Sequence, residues 1–105
     1  MPEMPPPPSA YTRFTARFPD LEKAWEHMAK AGRAGPLDAQ SQRLVKLAIA
    51  IGALREGAVH ASVRKARALG IPPEEMEQVV ALAAGTIGLP STVAAFQWVR
   101  EVLEA

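Results

Sequence analysis

The 105 residues include no cysteine and no asparagine. Without a thiol the chain offers neither a disulfide nor a thiolate nucleophile, so dithiol redox chemistry has no group of its own to run on. The missing Asn, together with 10 Pro, is compatible with a thermophilic source. Aromatic residues are scarce at 6% while hydrophobic residues reach 49%, so the apolar surface must be mostly Ala, Val, Leu and Ile. Neither sign of charge dominates: 12 Lys and Arg face 11 Asp and Glu, which excludes the strong positive field of a typical nucleic-acid binder. No apolar run approaches the roughly 20 residues that cross a bilayer, and the first ten residues lack the basic and hydrophobic regions of a signal peptide. These absences predict a cytoplasmic protein with no membrane and no nucleic-acid partner.

What is present is helical. The stretch Met1 to Pro8 is too rich in proline to pack a core, and it predicts an extended arm within a proline-rich segment 1–17, followed by one domain over 18–105. Pro19, Asp20 and Glu22 open a helix with proline at its first position and acids near its positive end. Leu21, Ala24, Trp25 and Met28 recur there at helical spacing, with Trp25 as a core anchor, until Gly32, Gly35 and Pro36 end the pattern. Asp38 is an N-cap for a second helix running to about Leu54, with Leu44, Leu47, Ala48 and Ile51 on its buried face. A third helix spans about Glu56 to Leu69 and stops at Gly70. A fourth opens at Pro72-Pro73-Glu74-Glu75 and loosens between Gly85 and Gly88. The last begins at Pro90, with Val93, Phe96, Val99, Val102 and Leu103 on one apolar side and Trp98 at its margin. No segment alternates as a strand does, so the expectation is an all-α protein of five helices. A small Ala-rich core with apolar surface left over predicts a homo-oligomer.

Few groups can carry chemistry. Gly85-Thr86-Ile87-Gly88 lacks the strand and lysine of a phosphate loop. His27 and His60 have no second histidine at metal-ligand spacing, so neither a metal nor a cofactor is expected. Ser62 cannot be served by His60 in a triad, since the two lie on different faces of one helix. What remains is Glu56 and His60, an i,i+4 pair in which a carboxylate can orient an imidazole and raise its basicity. They are the candidate catalytic residues, with Arg55 and Arg64 as candidate binders of an anionic substrate.

The segments Arg43-Leu44-Val45-Lys46-Leu47-Ala48-Ile49-Ala50, Arg55-Glu56-Gly57-Ala58-Val59-His60, Leu69-Gly70-Ile71 and Gly88-Leu89-Pro90, followed by Ala95-Phe96, resemble the carboxymuconolactone decarboxylase family, which includes the alkylhydroperoxidase D-like proteins. The resemblance covers roughly residues 19–105. It implies an all-α protomer assembled as trimers or hexamers with sites near subunit interfaces. In the peroxidase branch a glutamate, a Cys-x-x-Cys pair and a histidine form the site, and the matching positions here are Arg43, Arg55, Ala58 and Ser62. The decarboxylase branch uses a histidine that again matches Ser62. The expectation is therefore a divergent member: either an enzyme doing cofactor-free acid/base chemistry on a small carboxylated or lactone substrate, or a non-catalytic oligomeric binding or structural homologue. Thiol peroxidase activity is not expected.

Overall fold

A computed structural model describes residues 4–105, and its described residues form six helices and no strand. In chain order these are α1 (Ser9–Arg17), α2 (Pro19–Arg33), α3 (Ala39–Gly52), α4 (Glu56–Ala68), α5 (Pro73–Ile87) and α6 (Leu89–Leu103). The sixth helix, beyond the five expected, is α1. Met4–Pro8 carries no helix, as the prolines require, and residues 1–3 of the expected arm lie outside the described residues. Directly after the last proline, Thr12 N donates to Pro8 O and the chain turns helical.

Two compact units result, Pro5–Leu37 and Asp38–Ala105. The first is the pair α1 and α2. Thr15 is buried there, its hydroxyl donating to the carbonyls of Tyr11 and Thr12, and Phe14 and Phe18 lie with their ring centres 5.3 Å apart. Pro19 opens α2 as its first residue and Asp20 and Glu22 occupy its first turn. Trp25, however, is no core anchor: it is 53% exposed, as are Leu21 and Met28 to a similar degree or more. Two helices cannot enclose a side chain of that size, because only one side of each has a neighbour within the unit.

The second unit is a four-helix ring. α4 packs on α3 and α6, and α5 packs on the same two helices, so each helix has two principal neighbours. Leu47, Ile51, Val59, Val63, Met76 and Val99 fill the centre and are fully buried. Sequence signals set the helix ends. The Asp38 carboxylate accepts from Ser41 N at 2.7 Å, which satisfies one free amide of α3 and holds the carboxyl below its usual pKa. Between α3 and α4, Leu54 takes a φ of 53°, and Arg55 N donates back to Ala50 O. This tight reversal lays α4 against α3. At the other end of α4, Gly70 has φ 79°, and Ile71 N donates to Ala66 O in a left-handed cap that glycine enters without steric cost.

Three details of the expected core differ. Ala48 is exposed and Ala50 takes its buried place; α5 stays helical through Gly85 as far as Ile87. On α6 the buried line is Thr92, Ala95 and Val99, whereas Val93 and Phe96 are 58% and 42% exposed. The apolar side of α6 is broader than the ring needs. Ile49 on α3 and Leu82 on α5 are exposed as well, the latter at 72%.

Candidate functional site

Helix α4 carries the chemistry, and its 100° rotation per residue decides where each group goes. Val59, Val63 and Ala66 make its core stripe and are fully buried. Residues to either side of that stripe face different neighbours.

On the α3 side, Ser62 is 4% exposed and its Oγ accepts a hydrogen bond from Arg43 Nη1 at 3.4 Å. Arg43 is half-buried, and its Nε is shielded from solvent with no hydrogen-bond partner. Burial lowers its pKa, though a guanidinium stays charged at any physiological pH. Lys65, half-buried on the same side, is held below the usual lysine value first by burial and then by repulsion from Arg43, Lys46 and Arg64. Arg43 thus holds a hydrogen bond to the buried Ser62 hydroxyl, and its charge also reaches Lys65. Ser62 thereby ties the Arg43 guanidinium of α3 to α4.

On the α6 side, His60 is half-buried and its Nε2 lies 3.5 Å from Glu101 Oε2. The separation suits an ion pair if the imidazole is protonated, but it is long for a hydrogen bond, and Nε2 is enclosed without a hydrogen-bond partner. Glu56 comes to the same place from the first turn of α4, so that one ligand atom each from Glu56, His60 and Glu101 lie within 4.8 Å of one another. About two turns beyond His60, Arg67 Nη1 donates to Val102 O at 2.8 Å and ties this side of α4 to the end of α6.

The four residues singled out from sequence therefore part company. Glu56 and His60 do meet, in the company of Glu101, which pattern reasoning missed because no local spacing links it to α4. Arg64 is close enough to Lys65 to depress its pKa. Arg55 is exposed at the N-cap of α4. A groove of about 590 Å³ runs between α3 and α5, lined by Leu44, Val45, Ala48, Val79, Leu82 and Ile87 among others, and includes none of the four.

The model of one protein family, carboxymuconolactone decarboxylase, matches residues 19–101, most of the chain. The chain belongs to the carboxymuconolactone decarboxylase family. No curated protein and no solved structure matches it significantly. The all-α fold agrees with this membership, and no described helix is long and apolar enough to cross a membrane. Two of the positions that resemblance to the family marks as reactive, Arg43 and Ser62, are the pair joined by the 3.4 Å contact, whereas His60 stands on the opposite side of the core stripe.

Proposed function

We propose that this member of the carboxymuconolactone decarboxylase family is an oligomeric binding protein for a small anion, a carboxylate of low molecular weight, seated on the Ser62 side of α4. One observation carries this: a half-buried guanidinium with an unpartnered Nε stands close enough to Lys65 for the two charges to repel. A carboxylate oxygen would supply the missing acceptor and offset the mutual repulsion, and it would fit the planar donor set of an arginine. Resemblance to the family puts a proton-relaying glutamate at position 43 and a histidine at position 62. Arginine and serine there keep the means of holding an anion and drop the means of moving a proton near neutral pH. Nor can these 105 residues supply the thiolate of the peroxidase branch.

Calorimetric titration with a panel of small mono- and dicarboxylates tests the proposal. Arg43→Gln should weaken the best binder at least about tenfold, the cost of roughly one charged hydrogen bond. Absence of binding across the panel, or binding indifferent to Arg43→Gln and Ser62→Ala, would sink it.

A second reading is favoured by the unpartnered Nε2 of His60: acid/base chemistry by His60 and Glu56 on a carboxylated or lactone substrate, with Arg55 and Arg64 binding its charge. Turnover that disappears in His60→Ala would support this reading. Both readings take the protein as a cytoplasmic homo-trimer or hexamer. The support for assembly is the apolar surface left on Ile49, Leu82, Val93 and Phe96 and, separately, on Leu21, Trp25 and Met28 of α2.

A further inference from the structure

We infer that Glu56, His60 and Glu101 form a binding site for a divalent transition-metal ion of the zinc type, on the side of α4 opposite the anion cluster. The donor set is one imidazole and two carboxylates from two helices, with the three ligand atoms already within 4.8 Å of one another. A zinc ion bound at about 2.1 Å by each ligand in a tetrahedral arrangement spaces those ligands about 3.5 Å apart. His60 Nε2 and Glu101 Oε2 stand at 3.5 Å. Glu56 is exposed in the first turn of α4, so its side chain is free to change rotamer on binding an ion.

The second observation is independent of this spacing. His60 Nε2 is enclosed by protein yet makes no hydrogen bond. In the tautomer whose proton sits on Nδ1, the Nε2 lone pair faces two carboxylates, which cannot donate to it when ionised. A cation satisfies all three at once. Its two positive charges cancel the two carboxylates, its vacant orbital takes the lone pair, and solvent completes the coordination on the exposed side. The nitrogen and oxygen donors suit zinc and cobalt better than magnesium, which prefers oxygen alone and gives up its water reluctantly. Arg67 lies about two turns beyond His60 on the same side of the helix, but its guanidinium is turned onto Val102 O. Sequence spacing could not foresee the site, because the third ligand comes from a helix remote in the chain.

The test is calorimetric titration of the full, untagged chain with zinc chloride, repeated with cobalt and followed by visible absorption. The expectation is about one ion per chain with a dissociation constant on the order of micromolar, and a cobalt spectrum of low coordination number. His60→Ala and Glu101→Gln should each weaken binding at least about tenfold. His27→Ala, which removes the other histidine, should leave it unchanged. The Glu101→Gln side chain is nearly isosteric and exposed, so its loss of binding cannot be put down to unfolding, and circular dichroism checks both variants. No zinc binding below millimolar concentration, or binding that survives both His60→Ala and Glu101→Gln, overturns the inference; a simple His60–Glu101 ion pair would give the first of these results.

Discussion

The two sides of helix α4 differ in almost every respect that matters for ligands, although residues from both belong to the same 13-residue element. Toward α3, a buried hydroxyl accepts from a half-buried arginine whose charge repels that of Lys65. Toward α6, an imidazole with an unpartnered nitrogen is bracketed by two carboxylates. Ser62 and His60 are two positions apart in sequence, and about 200° of rotation sends them to opposite sides of the Val59–Val63–Ala66 stripe. Chemistry on one side therefore cannot be inherited by a residue on the other, however near in sequence. On the two proposals, one helix carries an anion site and a metal site back to back, with the core as insulation between them.

The largest effect should come from removing that insulation. Leu47→Ala opens a cavity among the fully buried side chains that α3 presents to α4, and should cost about 2–5 kcal/mol in a denaturant titration. If the sides share one core, anion and metal binding should weaken together in this variant. Next comes assembly: Leu82→Glu or Val93→Glu puts charge on the apolar surface and should convert the oligomer to monomers at micromolar concentration, read by light scattering. A wild-type chain that is already monomeric would remove the argument for that surface. Smaller and sharper is the double dissociation. Arg43→Gln should lose about tenfold in anion affinity and keep its zinc affinity, while Glu101→Gln should do the reverse.

The smallest expected effect concerns Lys65, whose folded pKa lies below its unfolded value. A depressed lysine binds its proton more tightly in the unfolded state, so its charge destabilises the fold at every pH below the folded pKa. Stability should recover as pH rises from there toward the ordinary lysine value. Lys65→Met should consequently stabilise the protein at neutral pH by less than about 1 kcal/mol, since the side chain is only half-buried and water screens it. Thermal melts with and without added carboxylate would measure this, and the wild type should gain more from the ligand than the variant does.

How much of this was legible without coordinates depended on the range of the interaction. Helix ends were readable because Asp38, Pro19, Pro73 and Gly70 act on their own backbone. The all-α fold followed from spacing. Helix α1 was not readable, because the proline run before Ser9 dominates its neighbourhood. Trp25, Val93 and Phe96 sit on apolar faces as their spacing requires, but spacing does not tell whether the covering surface belongs to the same chain. At the candidate site, Glu56 and His60 were visible as an i,i+4 pair. Glu101 was not, because it reaches them only through the packing of α6 on α4. Family resemblance, rather than local pattern, placed Arg43 and Ser62 in one site.

The central claim is that α4 serves two ligands of opposite charge on its two sides, and NMR of the isotope-labelled chain tests it most directly. Titration with the best-binding carboxylate should shift the Arg43 Nε and Ser62 amide resonances and leave the His60 ring untouched. Titration with zinc should shift the His60 ring and leave Arg43 in place. A carboxylate that perturbs His60 instead of Arg43, or a single ligand that moves both sets together, would contradict the account.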